Sequence, residues 1–353
     1  MCKLAIVILN WNGAAMMRKY LPTVIECSKH DGVEVIVADN ASTDDSVDML
    51  QTEFPSTRII RLDRNYGFAD GYNKALKQVD AEYYLLLNSD VEIRQKDWTA
   101  PMLQYMDSHK GVAACQPKLW KLKEGDTSAV HTFEYAGAAG GFIDKYGYPY
   151  CRGRIFSTVE ADHGQYDDIV PVMWTTGAAM MVRAEVYWKA GGLDASFFAH
   201  MEEIDLCWRM RIMGYQLVCI TSSTAFHLGG ATLNQGNARK TFLNFRNNLL
   251  MLYKNLPQSE VNSVLRIRRM LDFIAAMQFL LKGDLANMKA VFRADKIFSQ
   301  LKKSISPVRE QIQASRAATS LPDHTDISIL WQYYAKGRKT YSQLMEANKR
   351  HDA

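Results

Sequence analysis

The sequence predicts an α/β fold, with a mostly parallel central sheet followed by a C-terminal helical region. Three observations lead there. Over the first hundred residues, short apolar runs alternate with helix-like stretches; polar and small residues collect where the apolar runs end; and beyond about residue 240 the pattern is helical. Strand–helix alternation at this spacing favours parallel strands joined by crossover helices, with ligands held beyond the strand C-termini.

The elements follow in order. Leu4–Leu9 is a strand-length apolar run that ends in Asn10-Trp11-Asn12-Gly13, and a helix is expected over Ala15–Lys29. Val33–Ala38 is the second strand and ends in Asp39-Asn40-Ala41-Ser42; Ser42-Thr43-Asp44-Asp45 then opens a helix, with Ser42 or Thr43 as its cap. Ile59–Leu62 is the third strand, a helix follows Asn65-Tyr66-Gly67-Phe68, and Tyr83–Leu87 runs into Asn88-Ser89-Asp90. Residues 110–175, rich in Gly, Tyr and Asp, read as short strands and loops framing a cleft. Residues 231–240 are polar and suit a mobile lid. The helices beyond are expected to break near Ser304-Ile305-Ser306-Pro307 and to meet a polar linker at 319–326.

A chain of 353 residues with 48% hydrophobic residues can bury a sizeable core and has no disordered composition. Its net charge of +4 is unevenly spread. Residues 1–240 hold 24 basic and 29 acidic residues, whereas 241–353 hold 18 basic and 9 acidic. The tail therefore has the sign that favours anionic surfaces. It lacks the interleaved aromatics of a nucleic-acid module, so no nucleic-acid partner is expected. Six scattered cysteines without paired spacing imply a reducing compartment. The first residues enter a strand rather than a signal peptide, and no apolar run approaches the roughly 20 residues of a spanning helix. A cytoplasmic protein is expected, with peripheral contact on the inner face of the plasma membrane left open. Arg266-Ile267-Arg268-Arg269 precedes the apolar run 270–281, which would either lie in a membrane interface or pack on the protein or a second copy. Asp272 argues against a lipid-facing stripe.

Three groups of residues carry chemistry. Glu202, Glu203 and Asp205 place three carboxylates in four positions between Phe197-Phe198 and Trp208. Acids so close repel one another and are seldom gathered without a cation or a proton to move. A solvated helix N-terminus is the plainer reading. Asp90, ending an apolar strand, and His227, on the Gly229-Gly230 turn, are candidate metal ligands; a turn aspartate and a satisfied polar histidine are the alternatives. At the first strand–helix turn, Trp11 stands where a dinucleotide fold needs glycine, so phosphates must be neutralised another way, most simply by Mg²⁺ or Mn²⁺. Asp39 has the position to accept a bond from a base N–H or a ribose hydroxyl. Trp174 and Gly177 read as a sugar or acceptor wall, with a core tryptophan as the alternative. Arg246 after the lid reads as a diphosphate clamp or an ordinary helix arginine.

In this order the motifs Asn10-Trp11-Asn12-Gly13, Asp39-Asn40-Ala41-Ser42, Asn65-Tyr66-Gly67-Phe68, Asn88-Ser89-Asp90, Thr176-Gly177-Ala178, Gly191-Gly192-Leu193-Asp194, Glu202-Glu203-Ile204-Asp205 and His227 resemble family 2 glycosyltransferases of the GT-A fold, in their bacterial rhamnosyltransferase-like branch. The resemblance covers about residues 4–250. It implies a GT-A catalytic domain over 1–240, with its nucleotide-binding half to about 110 and its acceptor half from 111, and a helical extension over 241–353. It further implies that Asn10, Asn12, Asp39, Asn65, Gly67 and Asn88 line the nucleotide site, that Asp90 and His227 hold Mg²⁺ or Mn²⁺, and that Glu203 is the general base. Glu202 would orient the acceptor, and Asp205 would contact substrate or hold Arg209.

Two positions depart from the family pattern: Asn88 replaces the first aspartate of the metal motif, and Glu203 replaces the usual aspartate. The expected partners are a nucleotide-diphosphate sugar and a glycan or lipid-linked acceptor for cell-surface glycan synthesis, with self-association left open. The expected reaction is inverting and metal-dependent, from dTDP-rhamnose. A UDP-hexose donor, or a nucleotide-sugar-binding protein that has lost catalysis, is the alternative.

Overall fold

The structure is a computed structural model and describes residues 2–123, 125, 128–229, 237–317 and 325–349. The chain opens as β1 (Cys2–Asn10), α1 (Ala14–Cys27), β2 (Val33–Asp39), α2 (Ser46–Glu53), β3 (Arg58–Arg61), α3 (Gly67–Leu76) and β4 (Ala81–Leu87). It continues through β5 (Val91–Glu92), α4 (Ala100–Ser108) and β6 (Val112–Lys121) to four short strands, β7 (Gly141–Ile143), β8 (Pro149–Cys151), β9 (Arg154–Ile155) and β10 (Thr158–Val159). Then come β11 (Ala179–Arg183), α5 (Ala184–Lys189), α6 (Glu202–Ile212), β12 (Gln216–His227) and four helices: α7 (Ala238–Asn255), α8 (Val261–Leu281), α9 (Leu285–Ala314) and α10 (Tyr341–Lys349). The expected strands and first three helices are present within one to three residues of their predicted starts, apart from the second helix. Asp45, not Ser42 or Thr43, precedes α2, and the Asp44 carboxylate accepts from the Ser46 amide at 3.1 Å. Ser42 and Thr43 are occupied instead by the β1 turn.

The main sheet has eight strands in the order β3-β2-β1-β4-β11-β6-β12-β5. β3, β2, β1 and β4 are mutually parallel, as are β6 and β12; β11 runs antiparallel between β4 and β6, and β5 is antiparallel at the edge. A second, antiparallel sheet of β7 to β10 occupies the glycine-rich middle. Central strands flanked on both faces are continuously apolar, and β1 from Leu4 to Ile8 and β4 from Tyr83 to Leu87 are buried along their length. Each such side chain, once buried, contributes about 1.5–3 kcal/mol.

Register builds the site. β1 and β2 pair so that Asn10 lies opposite Asp39. β5 pairs with the end of β12 so that His227 lies opposite Val91, the residue after Asp90. Two positions 137 apart in sequence are thereby made neighbours.

The C-terminal helices share the main core. Leu249, Leu252, Leu256, Val264, Phe298 and Ile312 belong to the same buried cluster as Val7, Ala38 and Leu86. The expected break at Ser304–Pro307 does not occur, because α9 runs through Pro307. Proline in a helix costs about 3 kcal/mol, but the following turn is pinned. Arg309 donates to the carbonyls of Tyr253 and Leu256, the latter at 2.7 Å, and Ile312 is buried. The proposed lid at 231–240 and linker at 319–326 lie largely outside the described residues. Among the described residues, no helix is long and apolar enough to cross a membrane, and the six cysteines are free.

The tie between α6 and α7 is ionic and buried. Lys254 of α7 donates to Asp205 at 2.8 Å and to Asp194 at 2.6 Å, and its side chain is almost fully enclosed. Removing one partner of a buried ion pair leaves uncompensated charge. Lys254→Met is expected to destabilise the fold by about 3 kcal/mol, measured by urea denaturation.

Candidate active site

The expected nucleotide end is a set of loops stitched to each other. Asn10 donates to Asp39 Oδ1 at 3.3 Å and to Ser42 Oγ at 3.2 Å. The Asn12 amide donates to Ser42 Oγ at 2.9 Å, and its side-chain oxygen accepts from the Thr43 amide at 2.7 Å. Asp39 Oδ2 accepts from the Ser42 amide at 3.1 Å. Asn12 has φ +53°, a left-handed conformation that asparagine tolerates better than most residues. Gly13 is steric, since a Cβ there would lie 2.4 Å from Asn10 Oδ1.

Asn40, which the sequence reading used only as part of a motif, joins this loop to the next. Its oxygen accepts from the Tyr66 amide at 2.9 Å, and its amide donates to Asn65 Oδ1 at 3.1 Å and to the Gly67 carbonyl at 3.0 Å. Asn65 Oδ1 also accepts from the Gly67 amide at 2.8 Å. Gly67 has φ +75°, and a Cβ there would meet the Phe198 ring at 2.8 Å. Both constraints call for glycine.

At the second turn, His227 Nε2 lies 3.2 Å from Asp90 Oδ1 and 3.3 Å from Asn88 Nδ2. On the other side of the ring, Nδ1 lies 3.4 Å from Glu134 Oε1. All three carboxylate and imidazole side chains are buried. Burial alone would lower the His227 pKa, but the Glu134 and Asp90 carboxylates override it and lift it to about 10. Burial raises the Asp90 carboxyl while His227 draws it down, with a net fall below the usual carboxylate range.

This donor set fits a divalent cation. The ring nitrogen facing Asp90 would have the place of a ligand once a cation displaced its proton, and the Glu134 carboxylate, 3.4 Å from the other nitrogen, stands on the side where a group that orients a metal-bound histidine would stand. Among the described residues there is no group of three or more metal-ligating side chains. Asp90 and His227 would therefore be the protein's share, with waters and substrate oxygens completing the shell. Glu134 was missed by sequence reasoning because it is a lone carboxylate in a loop-rich segment with no motif around it.

The acidic helix completes the site. Its residues do sit at a helix N-terminus, yet they are not solvated. Glu202 and Asp205 are buried, and Glu202 Oε2 and Glu203 Oε2 are enclosed without a hydrogen-bond partner. Burial, and for Glu202 the neighbouring Glu203 charge, hold both carboxyls above the usual glutamate range. The Asn88 amide donates to the Ala178 carbonyl at 3.0 Å, and a Cβ on adjacent Gly177 would lie 3.5 Å from Glu203 Cβ. The Asn88–Asp90 turn and Glu203 are thus bridged by Gly177-Ala178.

The loop before α6 is strained, with Phe198, His200 and Met201 at φ +65°, +70° and +71°. Asn247 of α7 holds it by donating to the carbonyls of Phe197, Ala199 and His200 at 3.0, 2.9 and 2.7 Å. Arg246 donates to the Ser196 and Phe197 carbonyls at 2.9 and 3.1 Å, so its guanidinium supports this loop rather than reaching for a diphosphate.

Two expectations are corrected. Asp205 is 0% exposed and accepts from Arg209, Lys254 and Asn255 at 2.8–2.9 Å, so it anchors the helix and has no access to substrate. Trp174 is 2% exposed and donates its indole N–H to the Phe142 carbonyl. It offers no face to a sugar and is a core tryptophan.

Residues 5–181, half of the chain, match the model of glycosyl transferase family 2. The chain belongs to that family. Its domain is a glycosyltransferase domain, as the sequence resemblance implied. The N-acetylglucosaminyl-diphospho-decaprenol L-rhamnosyltransferase of Mycobacterium tuberculosis is 22% identical over 64% of this chain and 75% of its own length. Rhamnosyltransferase WbbL of Escherichia coli is 27% identical over 46% of the chain and 61% of its own. The O-antigen biosynthesis protein RfbC of Myxococcus xanthus is 22% identical over 64% of the chain, which spans only 17% of that protein's length. Among solved structures, Staphylococcus aureus TarS with UDP-GlcNAc superposes at a TM-score of 0.55 and 13% identity over 95% of this chain and 92% of its own. The mannosyltransferase PcManGT of Pyrobaculum calidifontis with GDP-Man and Mn²⁺ superposes at 0.51 and 14% over 89% and 84%. These likenesses show the GT-A fold.

Two outcomes follow from the geometry. Glutamine at 134 keeps an acceptor for the imidazole N–H but removes the charge, so Glu134→Gln is expected to weaken Mn²⁺ affinity by about 10–100-fold in a calorimetric titration. Glu202 binds its proton more tightly folded than unfolded. It therefore costs stability progressively as pH rises from the unfolded glutamate pKa, about 4.3, through the raised folded value. Glu202→Gln should raise the melting temperature by roughly 2 °C or more at pH 8 and leave it unchanged near about pH 4.

Proposed function

We infer that the chain catalyses metal-dependent, inverting transfer of a sugar, with dTDP-rhamnose as the favoured donor, to a hydroxyl of a glycan or lipid-linked acceptor in cell-surface glycan synthesis. The observation that carries this reading is the bridge from the Asn88–Asp90 turn through Gly177-Ala178 to Glu203, whose Oε2 is enclosed without a hydrogen-bond partner. That bridge links the turn that would hold a cation to a carboxylate of raised pKa. Family membership and the named rhamnosyltransferase relatives support the reaction class and the donor.

Asp39, Asn10, Asn12, Asn65 and Gly67 would line the nucleotide pocket, with Asp39 as the acceptor for a base N–H or a ribose hydroxyl. Asp90 and His227 would hold Mg²⁺ or Mn²⁺, and when bound the ion supplies a Lewis acid for the departing diphosphate. Asn88 carries no charge, so the protein would meet a cation with a single carboxylate at this turn. Glu203 takes the proton of the attacking acceptor hydroxyl. Its raised pKa improves the match to a weakly acidic alcohol, and a positioned base of this kind contributes about 10²–10⁴-fold. Attack opposite the leaving group in one displacement inverts the anomeric centre. Glu202, one residue earlier, orients the acceptor.

Calorimetric binding of dTDP, UDP and GDP, each with and without Mn²⁺, tests the donor. Metal-dependent binding of dTDP that Asp90→Ala abolishes is expected, and binding of none of the three would sink the reading. Glu203→Gln is expected to lower kcat by about 10²–10⁴-fold with donor affinity unchanged. The acid limb of the wild-type pH profile should fall above the usual glutamate range, because the base must be ionised to act.

A further inference from the structure

The α8–α9 hairpin carries an apolar surface that the core does not use. Val264, Leu265, Arg268, Asp272 and Ala276 face inward, while Met270, Phe273 and Ile274 are exposed on the other side of α8. At the tip, Leu280, Leu281 and Leu285 are exposed around Gly283, and Leu281 is 86% accessible. Between α8 and residues 326–335 lies a groove of about 1470 Å³. Ile267, Met270 and Ile274 form one wall and Trp331 and Tyr334 the other, with Lys145 and Lys282 also lining it. Asp272, which interrupts the stripe in sequence, is paired with Arg268 at 2.8 Å on the buried face. Asp272 therefore does not break the exposed stripe, which carries Gln278 between Ile274 and Leu281, and apolar surfaces of this kind mark a binding partner.

Charge selects the partner. Residues 261–316 hold 11 basic and 4 acidic residues. Two of the four acids, Asp272 and Asp295, are already paired with Arg268 and Arg269. A second copy would bring like charge against like, whereas an anionic bilayer supplies both the opposite charge and a place for apolar side chains. Phe245 of α7 lines the groove, on the same helix whose Asn247 holds the loop ahead of Glu202.

We propose that the groove and hairpin tip seat the hydrocarbon chain of a lipid in an anionic bilayer, with Lys145 and Lys282 against its phosphate. The identity of that lipid as the acceptor rests on the transferase reading; the contact itself does not. The test uses the full chain and vesicles of phosphatidylglycerol or phosphatidylcholine, read by sedimentation. Phosphatidylglycerol brominated in its acyl chains then serves as a quencher of Trp331, which is 59% exposed. Binding to phosphatidylglycerol is expected to be about tenfold or more tighter than to phosphatidylcholine. Brominated chains should quench fluorescence, and Trp331→Phe should lose most of that quenching. Leu281→Glu, at a position open to solvent where folding is not at risk, should weaken binding by about tenfold. Equal affinity for the two lipids, no quenching, or an unchanged Leu281→Glu overturns the proposal. So does a vesicle-independent dimer that Leu281→Glu dissolves in analytical ultracentrifugation. Nucleotide binding on the same samples separates the two ideas: if it persists without vesicle binding, only the groove proposal fails; if vesicles bind and no nucleotide does, only the transferase reading fails.

Discussion

Asp205 is a carboxylate with no exposure to solvent, and the arrangement of the site depends on how its charge is met. Arg209 reaches it from the next turn of α6, while Lys254 and Asn255 reach it from α7. Lys254 extends the tie to Asp194, whose carboxyl it holds down to about 2 against the effect of burial. Arg209 adds a hydrogen bond to the Gly192 carbonyl at 2.8 Å. One buried ionic node therefore joins α6, α7 and the turn that leads into the acidic segment. Ionic groups of this kind add little net stability over an apolar replacement. What they provide here is position.

That position is what separates three neighbouring acids into two roles. Asp205 has cationic partners, whereas Glu202 and Glu203, less than a turn earlier, have enclosed oxygens and none. Uncompensated burial raises their pKa values, which destabilises the ionised fold and suits a proton acceptor for an alcohol. The strained loop before them belongs to the same compromise. Left-handed non-glycine residues cost of order 1–3 kcal/mol each, and the three bonds from Asn247 hold the loop in that shape. Helix α7 thus shapes the candidate site through the backbone of the loop that it holds.

Much of the architecture was legible in the chain. The strands from β1 to β4 are apolar runs bounded by polar turns, and periodicity of that strength survives any tertiary context. The turns Asn10–Gly13, Asp39–Ser42 and Asn88–Asp90 were readable as one edge because parallel strands end on one side. Less legible were residues whose meaning depends on what packs against them. Trp174 and Asp205 look like substrate contacts by neighbourhood, yet each is sealed in the core. Asp272 looks like a flaw in an apolar stripe until Arg268 is seen to take it inward. Pro307 looks like a helix break, and Arg309 and Ile312 carry α9 past it.

By itself the sequence determined the fold class, the family, the order of the site motifs and the uneven charge of the two halves. These follow from local period and composition, which need no knowledge of distant contacts. Tertiary structure alone decided which acids are neutralised, which arginine supports backbone, and that Glu134 stands behind His227. Each of those is a distance between residues far apart in sequence, and the strength of an electrostatic interaction depends on that distance and on burial.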